Sequence, residues 1–248
     1  MNKIYNSNCL DVLNEIPNES IDLVVTDCPY RIVSGGVTTA KKENEVSGIF
    51  NKRNNSNKWE KDGEVPNNVK NGKMFKHNDI KFAEWLPDIF RVLKKGTHCY
   101  IMVNGRNLTE LQNEAEIVGF VFQNLLVWDK CNVTPNKWYM NGVEFILMLS
   151  KRPALNITNM GTSNIIKVPN IIGNKKHPTE KPTSLMKILI ENSSLVGQTV
   201  LDPFAGAGST LLAAKELRRN YIGCEIDENY YKIALERLNG EFDKGSLI

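Results

Sequence analysis

The sequence predicts a doubly wound α/β sheet, mostly parallel with an antiparallel edge, and three observations carry that expectation. Short runs rich in Val, Ile and Leu alternate with segments of helical periodicity, the pattern of a parallel sheet covered by helices on both faces. A glycine turn, Ala205-Gly206-Ala207-Gly208, joins the run Val200-Leu201-Asp202 to a helix at Leu211-Leu212-Ala213-Ala214. An acid, Glu225, ends the next run about 20 residues on. The third observation is that runs 122–128 and 143–149 are separated by a polar connection rather than a helix, so they read as a hairpin-like antiparallel edge.

Taken in order, residues 4–10 read as a short strand and 11–16 as a helix. Residues 21–26 are apolar and β-branched without alternation, as in a strand buried on both faces. Residues 80–93 place Ile80, Ala83, Leu86, Phe90 and Leu93 on one helical face and stop before Gly96. A strand at 98–103 and a second amphipathic helix at 106–118 follow. After the antiparallel pair, 182–195 is a helix with Pro182 near its first turn, and 228–238 closes the fold. Gly206 and Gly208 let the backbone turn sharply and approach a ligand, and Ser209 or Thr210 can cap the helix that follows.

Two stretches break the alternation. Residues 31–79 hold nine asparagines and five glycines with scattered lysines, and a structureless insert of that length in a compact domain is functional or mobile. Residues 150–176 form a second irregular stretch.

Length and composition bound the function classes. The 248 residues read as one domain, 1–248, with 41% hydrophobic and 24% charged residues, ordinary for a soluble globular protein. No apolar run is long enough to span a bilayer and Met1-Asn2-Lys3 does not open a signal peptide, so a cytoplasmic protein without a membrane role is expected. Five cysteines with no C-x-x-C spacing argue against a disulfide framework and a zinc site, and no metal site is expected. Cys9, Cys99, Cys131 and Cys224 read as small core residues, with Cys28 the exception because of where it falls.

The net charge of +3 is unevenly spread. Residues 31–80 carry +4 and 130–181 carry +6, leaving −7 on the rest. Two basic segments on an acidic scaffold are the footprint of a polyanion-binding face. Lys41, Lys42, Lys52 and Arg53 in the first, and Lys130, Lys137, Lys151 and Arg152 in the second, are candidate phosphate contacts. The solvated loop is the plain alternative.

Three motifs carry the chemistry: Asp27-Cys28-Pro29-Tyr30 at the end of a buried strand, His177-Pro178-Thr179-Glu180-Lys181-Pro182, and the glycine turn from Asp202 to Thr210. Together, in this order, they resemble the amino-methylating DNA methyltransferases in the family's beta arrangement, over almost the whole chain. The resemblance implies a Rossmann-like methyltransferase fold, S-adenosylmethionine as cofactor and DNA as partner. It makes residues 31–79 a DNA-contacting loop insertion and 130–176 a candidate target-recognition segment. Relatives are often dimeric, so a homodimer is open here, as is a cognate restriction endonuclease.

An exocyclic base nitrogen is a poor nucleophile because its lone pair is delocalised into the ring. Two acceptors on its hydrogens localise that pair, and the resemblance assigns them to the Asp27 carboxylate and the carbonyl of Cys28. Pro29 follows in the motif, and Tyr30 stacks on the base. Cys28 stands where the family usually has Pro; its carbonyl survives, while φ is no longer locked. For the cofactor, the resemblance points to Asn8 and Cys9 near the adenine, with a turn-forming Asn8 as the alternative. It points to His177, Thr179, Lys181 and Pro182 as a flanking motif, in which Thr179 and Lys181 can reach the methionine carboxylate. Asp202, Pro203, Phe204, Gly206, Gly208, Ser209 and Thr210 form the turn, Glu225 grips the ribose and Ile226 lies by the adenine.

By family resemblance, Asp at position 27 goes with adenine N6, at a base flipped out of the duplex. Cytosine N4, an RNA adenine and a non-catalytic subunit that binds DNA and cofactor are the alternatives.

Overall fold

The computed structural model describes residues 2–29, 80–134, 138–171 and 180–240. In chain order the elements are β1 (Asn2–Asn6), α1 (Cys9–Glu15), β2 (Ile21–Asp27), α2 (Phe82–Val92), β3 (Leu93–Val103), α3 (Leu108–Val118) and β4 (Val121–Thr134). They continue with β5 (Asn141–Ser150), β6 (Ile165–Lys167), α4 (Thr183–Ser193), β7 (Thr199–Asp202), α5 (Ser209–Glu216), β8 (Asn220–Glu225) and α6 (Glu228–Asn239).

The strands form one sheet of eight in the order β1-β8-β7-β2-β3-β5-β4-β6. The pairs from β1 to β3 are parallel, β5 runs antiparallel to both β3 and β4, and β6 returns parallel to β4. The expected doubly wound sheet with an antiparallel edge is present, with one addition. β6, from the irregular 150–176 stretch, lies outside the β4–β5 pair. Three residues give too short a run for periodicity to signal a strand. β3 also begins five residues before the expected 98, because Lys94, Lys95 and Gly96 mask its start with polar and turn-forming residue types.

Helices α1, α2 and α3 cover one face, where Leu13, Trp85, Leu86, Ile89, Leu111 and Ala115 share one core cluster with Val24, Ile101 and Leu147 of the sheet. α4, α5 and α6 cover the other, with Leu185, Leu189, Leu211, Ala213, Ala234 and Leu238 against Val25, Val200 and Tyr221. β2 lies between these layers, and its first six residues are buried without alternation, as a strand covered on both faces must be.

Local chemistry sets the helix ends. Asn8 caps α1 by accepting from the Leu10 N–H at 3.1 Å. Asp227 caps α6 through Asn229 N and Tyr230 N, and Gly240 closes it at φ 74°. At α5 the expectation of a Ser209 or Thr210 cap is corrected. Gly208 holds the cap position at φ 79°, a left-handed conformation that disfavours any Cβ, and Ser209 and Thr210 fall inside the first turn. The cysteine expectation is corrected too: Cys28 is buried with Cys9, Cys99 and Cys224, whereas Cys131 is exposed at φ 55°. Among the described residues no helix is long and apolar enough to cross a membrane.

Candidate active site

The site lies where the strand order reverses. From β7 the chain winds outward to β8, and from β2 it winds the opposite way to β3, so the β7–β2 boundary is the switch point of the sheet. In open α/β sheets, ligands enter at the carboxyl ends of the strands there. The residues ending those strands are Asp27 on β2, Asp202 on β7 and Glu225 on β8, with Asn6 ending the neighbouring β1. Parallel register puts Asn6 beside Glu225 and Asp202 beside Gly223.

The glycine turn and two acids form one unit. Gly206 takes φ 52° and donates its N–H to Glu225 Oε2 at 2.8 Å, while Asp227 N donates to Glu225 Oε1 at 2.8 Å. Burial pushes the Glu225 carboxyl up, and these backbone donors oppose it. At Gly208 a Cβ would meet the Ala234 Cβ at 3.0 Å, so this position is held by space as well as by φ. Asp202 is 3% exposed. Its Oδ1 accepts from Thr26 Oγ1 at 2.7 Å and from Phe204 N at 3.1 Å. Burial raises its carboxyl to about 6 against the pull of the Thr26 and Thr210 hydroxyls.

Beside this unit, four charges meet at the end of β2. Lys181 Nζ is 2.7 Å from Asp27 Oδ2 and 3.2 Å from Glu144 Oε2, and Lys130 Nζ is 3.4 Å from Glu144 Oε1. The side chains of Lys181 and Lys130 are each 8% exposed. Burial pushes the Asp27 carboxyl up and Lys181 pulls it back, whereas at Glu144 burial is outweighed by Lys181 and Lys130, which lower the carboxyl from its ordinary value. Two acids and two ammonium groups balance in formal charge, which is the condition for keeping buried ions ionised. Lys181 is aimed from behind: its neighbour Glu180 is buried and pairs with Arg237 Nη1 at 2.9 Å, and Arg237 also donates to the Ala207 carbonyl at 2.7 Å. One arginine of α6 thus ties the segment before α4 to the glycine turn.

Asp27, Lys181, Pro182, Asp202, Pro203, Phe204, Gly206, Gly208, Ser209, Thr210, Glu225 and Ile226 are gathered around the switch point. Phe204 packs edge-on to Trp85 with ring centroids 5.2 Å apart, and Ile226 is exposed. Cys28 and Pro29 follow Asp27, and Cys9 is buried in the α1 face. The Asn8 side chain is spent on the α1 cap, which favours the turn-forming reading of that residue. Lys130 and Lys151 depart from the phosphate-facing role expected of them. Lys130 is buried against Glu144, and Lys151 is buried on the Phe90 and Leu93 carbonyls and Glu19. Arg152 is exposed. Tyr30, Lys41, Lys42, Lys52, Arg53, Lys137, His177 and Thr179, with loop 31–79, lie outside the described residues.

Three members of the site escaped the sequence reading: Thr26, Glu144 and Arg237. Glu144 carried a usable signal, a lone acid entering the apolar run Phe145-Ile146-Leu147-Met148-Leu149. Among the described residues no group of three His, Cys, Asp or Glu side chains could hold a metal ion.

Relatives share this architecture. The N6/N4 family model described as "DNA methylase" matches residues 21–170 and 156–236. The chain is 30% identical over 261 aligned positions to the type II methyltransferase M.HinfI of Haemophilus influenzae, covering 96% of this chain and 68% of that protein. It is 27% identical over 296 positions to the type II methyltransferase M.HindIII of the same species, covering 96% and 95%. Among solved structures, the M1.HpyAVI–SAM complex superposes with a TM-score of 0.67 at 23% identity, covering 96% of this chain and 100% of that one. The PvuII DNA methyltransferase, described as cytosine-N4-specific, gives a TM-score of 0.67 at 17% identity, covering 95% and 86%.

Proposed function

This chain belongs to the N6/N4 DNA methylase family, and from that premise we propose that it methylates the exocyclic N6 of adenine at a specific DNA sequence, on a base flipped out of the duplex. The observation that carries the reading is the Asp27 carboxylate, partly buried at the switch point beside the glycine turn and held by Lys181. The cofactor is S-adenosylmethionine, which supplies a methyl group already activated on a positive sulfur. The residues present fit it. Glu225 offers carboxylate oxygens to ribose hydroxyls, and Asp202 places negative charge beside a cationic ligand. The left-handed glycines let the backbone approach the ligand closely.

The chain's own work is then alignment and acceptance. Asp27 takes one amino hydrogen through a charge-assisted bond, and the Cys28 carbonyl takes the other. Drawing on both hydrogens localises the nitrogen lone pair and turns it toward the incoming methyl group. Once the nitrogen has four bonds it must shed a proton, and Asp27, whose carboxyl burial raises, is the acceptor in contact with it. Tyr30 supplies the stacking face.

Adenine is preferred because position 27 is Asp rather than Ser. Fold likeness does not select adenine, since the PvuII enzyme, described as cytosine-N4-specific, superposes with a TM-score of 0.67. The 130–176 segment is assigned to the DNA, with Trp138 and Tyr139 80% and 88% exposed after β4. Transfer from labelled S-adenosylmethionine to genomic DNA, followed by digestion to nucleosides, tests the reading. N6-methyladenine in a single sequence context is expected. N4-methylcytosine would overturn the base, and tight cofactor binding without transfer to DNA would overturn the activity.

A further inference from the structure

We infer that Glu144 is a positioning residue for methyl transfer, acting through Lys181 to keep Asp27 a strong acceptor. The inference rests on the reading that Asp27 receives the target amino group, whichever base carries it.

The geometry contains a conflict that Glu144 resolves. Lys181 Nζ sits 2.7 Å from Asp27 Oδ2, close enough to fix the carboxylate in one orientation. A full ammonium charge on that oxygen also draws electron density away from the acceptor and weakens its bond to an amino hydrogen. Glu144 Oε2, at 3.2 Å from the same ammonium, shares that charge. Lys130 holds the other Glu144 oxygen at 3.4 Å, so the sharing acid is itself fixed. Asp27 is therefore oriented by a cation whose charge is divided between two carboxylates. When an amino hydrogen docks on Asp27, Lys181 can lean further toward Glu144 without crossing the site.

The elements involved are distant in sequence. Glu144 comes from β5, opposite Trp128 on the antiparallel β4, and Lys130 lies two residues beyond Trp128. Lys181 precedes α4 and Asp27 ends β2. The antiparallel part of the sheet thus reaches into the reaction centre as well as providing an edge. Among the described residues, the groups facing Asp27 are Lys181, Glu144, the Cys28 thiol and, across the switch point, Asp202.

Steady-state and single-turnover transfer by Glu144→Gln, Glu144→Asp, Lys181→Met and the Glu144→Gln/Lys181→Met double variant test this, with cofactor affinity and thermal midpoint recorded for each. Glu144→Gln should lower kcat about tenfold to a hundredfold with cofactor affinity unchanged, the scale of a misplaced reacting group. Removing the Glu144 charge leaves Asp27 facing the whole of Lys181, so its pKa falls and the acid limb of the kcat profile moves to lower pH. Glu144→Asp keeps the charge and should keep the wild-type limb. In the Lys181→Met background, Glu144→Gln should cost less than about threefold more, because the residue it acts through is gone. Costs that multiply, an unmoved acid limb, or equal losses in the Gln and Asp variants would each overturn the inference. Wild-type protein that methylates cytosine would overturn the adenine reading alone, and this test would proceed on that base.

Discussion

Thr26 donates its hydroxyl to Asp202 at 2.7 Å, tying the strand that ends in Asp27 to the strand that enters the glycine turn. The two motifs, 176 residues apart in the chain, therefore share a buried hydrogen bond at the level of the sheet. Asp202 needs that bond because burial lifts its carboxyl from 3.8 to about 6. The folded state binds this proton more tightly than the unfolded chain, so folding loses stability as pH rises from about 4 to about 6 and the carboxylate must ionise inside the protein. Asp202→Asn should relieve that cost. Without cofactor it should be up to about 2–3 kcal/mol more stable than wild type at pH 7.5, and no more stable at pH 4. Its S-adenosylmethionine affinity should fall by more than about tenfold, since a charged acceptor is lost. Thermal unfolding at the two pH values and calorimetric titration check both halves. Equal stability at pH 7.5 would mean that Asp202 carries no folding cost.

Asp27→Asn separates chemistry from binding. The amide keeps the volume of the side chain and loses the charge that strengthens the bond to an amino hydrogen. Single-turnover transfer should slow by at least about a hundredfold, the scale of losing one preorganised electrostatic partner. Cofactor affinity, assigned in the proposed reading to Asp202, Glu225 and the turn, should stay within about threefold. A parallel collapse of cofactor affinity would place Asp27 on the cofactor side of the site.

Gly206 and Gly208 support different substitutions. Gly206 at φ 52° gives its N–H to Glu225, and a branched side chain there strains the turn and crowds the ligand face. Gly206→Val should abolish cofactor binding measured by calorimetry. Gly208→Ala places its Cβ 3.0 Å from that of Ala234 at a left-handed φ of 79°, so it acts on the packing of α5 against α6. It should cost about 1–2 kcal/mol of stability in denaturant titration, the scale of a left-handed non-glycine residue. Undiminished cofactor affinity in the valine variant would remove the turn from the binding face.

How much of this was legible in the sequence follows from how local each signal is. The glycine turn, the buried β2 run and the acid ending β8 are contiguous patterns with a periodicity or spacing of their own, so Asp27, Asp202 and Glu225 could be placed from residues alone. Glu144 and Lys130 could not be placed at the site, although a lone acid entering an apolar run marks Glu144 as unusual. Their meaning depends on the antiparallel register that brings β5 alongside β3, and single-residue chemistry does not carry register across a sheet. The same limit misassigned Lys151. On the sequence it is one more cation in a basic stretch, while in the fold it lies under α2, bonded to two carbonyls at 3.0 Å. Charge counts locate a basic segment without distinguishing its buried lysines from its exposed ones.

The Glu180–Arg237 pair couples the fold to the site. Both side chains are largely buried, at 5% and 12% exposure, and Arg237 also holds the Ala207 carbonyl of the glycine turn. Removing one partner leaves an uncompensated buried charge, so Arg237→Met should cost about 3–5 kcal/mol. Glu180→Gln should cost less, because the amide oxygen still accepts from the guanidinium. Unfolding in denaturant gives both values, and near-equal small losses would show that the pair is not coupled to the rest of the core.

Trp138 and Tyr139, 80% and 88% exposed beyond the end of β4, make the remaining prediction. Large exposed aromatic side chains on a DNA methylase fold are suited to stacking on bases, the role proposed above for this segment. Trp138→Ala/Tyr139→Ala should weaken DNA binding by about 1–3 kcal/mol per stacked ring, which filter binding or anisotropy resolves readily. Because stacking releases no counterions, the slope of log affinity against log salt should stay as in wild type while the intercept falls. Cofactor affinity and thermal midpoint should not move, since these rings bury little against the core. A shallower salt slope instead would mean that the substitutions had displaced phosphate-contacting cations, and unchanged affinity would move the DNA face away from this end of the sheet.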